Sequence, residues 1–373
     1  MKSITEETAN QPFSDAKHRL DQASESQERP SKIAKLTEED EEEKKETMVK
    51  GGGNMQRYLV AIEYIGTRFS GSQQQLVHRT VVGVLQEAFK KFVGQPVSIF
   101  CSSRTDAGVH ALSNVCHVDV ERISKRRPGE VLEPHEPATV QKAVNHYLQK
   151  EGDDVKVIDV RKVPSDFHAR YRAQERTYYY RLLSGPDPLS TFEKDRGWHV
   201  PEELDLRAMQ DACKILAGHH DFSSFRAAGC QASSSIRTLD EFHVLESTSF
   251  PYFPSNPVPE ASDDGAQDSS TCLDHHPETD AKNIDSKDNG KFSIGSDQEF
   301  GVKRGHRCLI VKARARSFLY HQVRLLVGVL KCVGTGHLTV ADVERILNAK
   351  DVAAARPMAP ACGLYLGHVK YDL

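Results

Sequence analysis

The chain has 373 residues, with 49 Lys and Arg against 53 Asp and Glu, a formal net charge of −4, and 8 cysteines. No apolar run approaches the ~18 residues a membrane span needs, and neither a C-x-x-C pair nor a His/Cys set with zinc-finger spacing occurs. A membrane-spanning chain, a disulfide scaffold and a zinc-finger protein are thereby excluded, and the scattered cysteines read as small buried hydrophobes in a reducing compartment, with no disulfide and no metal.

Charge is distributed unevenly. Residues 1–54 hold 9 basic and 13 acidic side chains, with an acidic run over 38–43 and three glycines at 51–53. Residues 251–303 hold 4 Lys against 11 acids among many Pro, Ser and Asn. Neither stretch has enough apolar residues to offset the entropy of ordering, so both are expected to be disordered. The remaining 266 residues carry +7, the sign a phosphate-rich partner requires, although a chain with no such partner also reaches that value. The expected organisation is an acidic tail at 1–55, an N-terminal domain at 56–163, and a C-terminal domain at 164–373 interrupted by the acidic insert. With Glu6 and Glu7 near its start, the chain does not read as a mitochondrial presequence. It is expected inside the cell, in cytoplasm or nucleus, with import into a mitochondrion tied to a start at Met55.

The first elements follow from periodicity. Residues 58–64 alternate with period two and predict a strand; apolar residues at Val81, Val84, Leu85, Ala88, Phe89 and Phe92 predict a helix over 80–92, closed by Gly94. Strands are predicted at 97–101 and 113–120, a helix at 138–148 and a strand at 155–160. That order, β-α-β-β-α-β, is a split βαβ sandwich of ferredoxin-like type. A similar succession recurs: strand 176–183, helix 205–217 with Asp205 as N-cap, strands 239–246 and 308–315, helix 320–332, helix 339–347 with Thr339 and Asp342 as a capping box, and strand 363–369. The predicted fold class is α+β: two ferredoxin-like or RRM-like sandwiches with mainly antiparallel sheets, flanking an active-site cleft.

Four clusters place polar or basic residues inside otherwise regular sequence. The first is Arg104-Thr105-Asp106-Ala107-Gly108-Val109-His110. Gly108 permits a sharp turn that fixes the Asp106 side chain; an Asp that merely caps its own backbone fits the same letters. The second is Phe167-His168-Ala169-Arg170-Tyr171 followed by Arg176-Thr177-Tyr178-Tyr179-Tyr180-Arg181. Here interleaved rings and guanidinium groups suit bases and phosphates, and Arg170, Arg172, Arg176 and Arg181 are expected to serve phosphates. The third, around Phe222 and Phe225, reads as core. The fourth runs from Arg314 to Gly328 and sets Arg324 within an apolar helix, a costly place for a cation without an anionic partner. Asp106 is the candidate partner, and the pair would keep Asp106 ionised and aim its carboxylate.

The segments S-S-R-T-D-A-G-V-H-A-L, F-H-A-R-Y, R-T-Y-Y-Y, H-D-F-S-S-F-R, F-L-Y-H-Q-V-R and A-P-A-C-G-L-Y-L, in that order from Tyr58 to Tyr371, resemble the signatures of TruA-type tRNA pseudouridine synthases. The resemblance implies an isomerase that converts specific uridines to pseudouridine in the anticodon arm of tRNA. It implies an aspartate nucleophile at Asp106, an active-site tyrosine at Tyr178 and a catalytic arginine at Arg324. Arg104, His110, Arg170, Phe318 and His321 are then expected to bind the substrate. It also implies tRNA as partner, a homodimer in which one tRNA contacts both subunits, no membrane and no cofactor. The chain departs from the family where many members have Trp after the glycine of the first hairpin and this one has Ser72, and where Ser103 replaces a glycine. Three alternatives stand beside this reading: a synthase acting on another RNA class, a non-catalytic RNA-binding relative, and a glycosidase pairing Asp106 with a second acid.

Overall fold

The period-two alternation of the first segment produces β1 (Met55–Tyr64), whose Tyr58, Val60, Ile62 and Tyr64 are all buried. The structure is a computed structural model, and it describes residues 55–127, 129–247, 305–355 and 357–373. The expectations for the acidic tail and for the 251–303 insert lie outside the described residues. After β1 come α1 (Val81–Val93), capped by the Thr80 hydroxyl and closed by Gly94, then β2 (Ile99–Cys101), β3 (His110–Glu121), α2 (Pro137–Lys150) and β4 (Val155–Val163). They pair as β4-β1-β3-β2, every pair antiparallel, which is the predicted split βαβ order.

The pattern then repeats. β5 (Glu175–Ser184) is followed by the short β6 (Trp198–Val200), α3 (Leu206–Leu216), the short β7 (Gly218–Asp221), β8 (Ile236–Ser247) and β9 (Arg307–Ala315). Then come α4 (Gln322–Gly334), α5 (Val340–Ala349) and β10 (Leu364–Lys370). The pairing order β10-β5-β9-β8 matches that of the first half. Asp205 caps α3 and the Thr339/Asp342 capping box opens α5, both as the sequence predicts. β6 and β7, only three and four residues long, are too short to show a periodicity.

The halves share one ten-stranded, mostly antiparallel sheet. The long β3 gives one edge to two strands: its later part pairs with β2, and its first residues His110 and Ala111 pair in parallel with Tyr365 and Leu366 of β10. The hydrophobic residues form two clusters, and the junction strand serves both. Leu366 and Val369 pack with β1, β3, α1 and α2, whereas Leu364 packs with α3, α4 and α5. Val109, just before β3, is buried in the second cluster, while Ala111 is buried in the first. The segment between β2 and β3 is therefore fixed from both sides. Phe222 and Phe225 are fully buried in the second cluster. Among the described residues no helix is long and apolar enough to cross a membrane.

Candidate active site

Asp106 sits on the connection between β2 and β3. The Val109 amide donates to the Asp106 carbonyl at 3.1 Å, closing a β-turn whose Gly108 has φ +81°, a conformation that glycine alone adopts freely. The turn presents the Asp106 side chain to the first turn of α4, where Arg324 lies 218 positions further along the chain.

A histidine and an arginine meet it there, and both take the same oxygen. His321 Nε2 lies 3.1 Å and Arg324 Nη1 3.3 Å from Asp106 Oδ2. His321 is the N-cap of α4 in the left-handed conformation, φ +59°, which turns its ring off the helix toward the loop. That backbone break also explains why α4 starts at Gln322 and not at the predicted 320. Arg324 is fixed at its other end, where Nε donates to the Ala359 carbonyl at 2.8 Å, while the Ala359 amide donates back to the Arg324 carbonyl. This strand-like segment can lie so near α4 because position 328 is glycine; a Cβ there would stand 1.9 Å from the Pro357 carbonyl oxygen.

Burial pushes the Asp106 carboxyl upward, but the His321 hydrogen bond and charge, with those of Arg324, outweigh it and hold the group below the ordinary carboxylate value. Asp106 is therefore ionised at neutral pH. Its side chain keeps 31% of its exposure, against 15% for His321 and 12% for Arg324.

Tyr178 on β5 meets Phe318 edge to face, ring centroids 5.1 Å apart. Burial pushes the Tyr178 phenol up to about 12, opposed by Arg176 and Ser103 and reinforced by the charge of Asp106, so it is neutral near pH 7. Tyr320 stacks on His321 at 3.7 Å. The structure thus gathers Asp106, His321 and Arg324 in direct contact, with Tyr178 and Phe318 beside them.

The other expected substrate residues lie elsewhere around the loop. Arg104 is on its exposed side. His110 is buried beneath it: Nδ1 accepts from the Gly66 amide at 3.1 Å and Nε2 lies 3.2 Å from the Cys362 carbonyl. Arg170 is half-buried, its guanidinium 5.8 Å from the Tyr171 ring. Two of the arginines read as phosphate ligands, Arg181 and Arg176, are committed to protein groups. Arg181 makes a two-point ion pair with Glu193, at 2.9 and 3.1 Å, in a nearly closed setting, and Arg172 pairs with Asp166. Arg181 points away from the face of Tyr178 and Tyr180 because side chains alternate along β5.

Arg176 is committed too, but to the loop. It donates to the carbonyls of Ser102, Arg170, Ala173 and Arg316 and to the Ser103 hydroxyl. Ser72, in the place of the expected Trp, is 1% exposed; its hydroxyl accepts from the Thr105 amide at 2.8 Å and its amide donates to the Thr105 carbonyl. Tyr64 and Asn114 also reach the loop from below. Of these supports only Arg176 was singled out from sequence as part of the site, and for phosphate rather than for the loop. The available signal was a polar residue on the buried side of a strand, as with Asn114 within 113–120.

Two half-sheets of ferredoxin-like order are joined edge to edge, with an ion-paired aspartate at the seam. A sequence model of the tRNA pseudouridine synthase family matches residues 60–172 and 212–372, and the chain belongs to that family of isomerases. It is 36% identical over 317 residues to tRNA pseudouridine synthase A of Methylobacterium nodulans, covering 85% of this chain and 96% of the relative. The corresponding protein of Parvibaculum lavamentivorans is 36% identical over 318 residues, 85% of this chain and all of the relative (100%). That of Bartonella henselae is 33% identical over 317 residues, with 85% and 100% covered.

Proposed function

We propose that this chain converts uridine to pseudouridine in tRNA, in the anticodon arm, with Asp106 as the nucleophile. One observation carries the assignment. Asp106 is held ionised by His321 and Arg324, which share its Oδ2, leaving Oδ1 to attack. The names of the relatives support tRNA as substrate, and the anticodon arm and a homodimeric enzyme rest on the family resemblance.

The reaction breaks the N1–C1′ glycosidic bond and forms a C5–C1′ bond. The proton lost from C5 is balanced by one gained at N1, so no atom or electron enters or leaves. Covalent attack by the carboxylate holds one fragment while the other turns. Arg324 and His321 fix the angle of attack and stabilise the carboxylate again when it departs. Tyr178, a neutral phenol, stacks on the uracil and keeps the detached base in place. The uridine must first leave its stack, at a cost of a few kcal/mol.

Asp106→Asn is the test. Pseudouridine mapping on tRNA incubated with the purified variant should show no modification, with tRNA affinity retained. Modification at the wild-type rate would refute the nucleophile. Pseudouridine found only outside the anticodon arm, or only in another RNA class, would refute the substrate assignment while leaving Asp106 in place.

A further inference from the structure

Asp106 is aimed by its loop, and the loop rests on a single buried amide. Asn114, on β3, is 0% exposed and uses its whole hydrogen-bonding capacity. Oδ1 accepts from the Ser102 hydroxyl at 3.0 Å and from the Val115 amide at 2.9 Å. Nδ2 donates to the Ser103 carbonyl at 3.1 Å and to the Tyr64 hydroxyl at 3.3 Å. The orientation is not arbitrary: a backbone N–H can only donate, so the atom facing Val115 must be the carbonyl oxygen.

The chain of bonds continues. Tyr64 Oη receives from Asn114 and shares a second hydrogen bond with Thr105 Oγ1, 2.8 Å away. Thr105 directly precedes Asp106. One carboxamide therefore grips the incoming arm of the loop at Ser102 and Ser103, and through Tyr64 it grips the residue next to the nucleophile. Tyr64, Ser102, Thr105 and Asn114 are all buried, so an unpaired member among them costs about 1–3 kcal/mol and the network holds one geometry.

We infer that Asn114 is a positioning residue for the isomerisation: it sets the place of Asp106 relative to His321 and Arg324 without touching the substrate. The inference rests on the proposed role of Asp106. It predicts a defect in chemistry and not in RNA binding, because the groups it holds lie under the loop.

Two variants test it. Asn114→Asp has the same shape, keeps the acceptor for Ser102 and Val115, and turns a second oxygen toward the Ser103 carbonyl. Tyr64→Phe keeps the ring and cuts only the link to Thr105. Each is assayed well below its own melting temperature, with kcat from single turnover and KM for tRNA measured separately. The expected result is a fall in kcat of at least tenfold for Asn114→Asp and severalfold for Tyr64→Phe, with KM within twofold of wild type. The double variant should be no slower than Asn114→Asp alone, since both cut one path. If Asn114→Asp fails to fold, Tyr64→Phe decides. Wild-type kcat in the folded variants, or a loss confined to KM, overturns the inference while inactive Asp106→Asn leaves the nucleophile standing. An active Asp106→Asn overturns both.

Discussion

Acid should unfold this protein earlier than its carboxylates alone would. Three buried histidines, His110, His117 and His168, are 1%, 0% and 7% exposed, and each receives a backbone amide on Nδ1. The donors are Gly66, Ala169 and Arg170, at 3.1, 3.2 and 3.1 Å. A nitrogen that accepts cannot carry a proton, so all three rings are neutral with the proton on Nε2, and a second proton would set donor against donor. Burial, the dominant influence, with nearby arginines lowers them to about 4, 3 and 4. In the unfolded chain the same rings titrate near 6.5. Between those values the unfolded state binds more protons, so the stabilisation is complete above pH ~6.5 and is lost as pH falls toward the folded values. At pH 5 each ring forfeits roughly 2 kcal/mol and the three about 6 kcal/mol, comparable with the whole stability of an ordinary domain. His117 and His168 pack ring to ring at 4.7 Å beside Arg57, so charging one makes the other harder to charge. Calorimetry from pH 7.5 to 5.0 at constant ionic strength should show the melting temperature falling by at least about 10 °C. A melting temperature that moves by less than about 3 °C, or three rings that titrate near their free value by NMR, would refute the reasoning.

Arg324→Ala removes a charge-assisted contact to Asp106 and strands the Ala359 carbonyl, so it should cost about 3 kcal/mol of stability and lower kcat. Arg324→Lys should not restore activity, because one ammonium cannot reach both Asp106 and the Ala359 carbonyl; single-turnover rates at wild-type level would count against the two-ended clamp. Glu193→Ala leaves the Arg181 cation without its partner in a nearly closed site and should destabilise the fold by about 3–5 kcal/mol. Gel-shift affinity for tRNA should hold steady in that variant at low temperature, whereas a marked loss of affinity would return Arg181 to the phosphate-binding role that the sequence suggested.

The legible parts of the chain were those with local causes. The strand at 58–64, the helix at 80–92 and the capping box at Thr339 each follow from periodicity or a cap within a few residues, and they stand where expected. The pairing of Arg324 with Asp106 was also readable, because a cation inside an apolar helix needs an anion and one acid had an unusual setting. His321 as a second partner on the same oxygen was not. Its position depends on a left-handed N-cap, and histidine is not a residue that announces that conformation. Arg176 and Arg181 were read by composition, when their partners are decided by which face of β5 each occupies and by carbonyls far away in sequence. The partners of Asn114 and Ser72 were hidden for the same reason. A buried hydrogen bond is defined by two partners, and in these cases the second lies up to tens of residues away, in another element.

The seam between the halves explains why so local a motif needs so much of the chain. The turn that carries Asp106 has β2 and Asn114 of the first half beneath it, and ends at Val109 in the core of the second. Its two partners, His321 and Arg324, come from the N-cap and first turn of α4, which the segment at 357–359 locks in place just before β10 returns to pair with β3. That parallel pairing joins only two residue pairs, His110 with Tyr365 and Ala111 with Leu366, too few hydrogen bonds to fix the halves by themselves. Leu364, Leu366 and Val369, divided between the two cores, supply the remaining registration through burial, at about 1.5–3 kcal/mol for each large apolar side chain. An ionised carboxylate sharing one oxygen between an imidazole and a guanidinium tolerates little displacement, since the attraction falls as the contacts lengthen while the cost of burial persists. The ionised state of Asp106 is thus set by how the last strand closes the sheet as much as by the residues on either side of it.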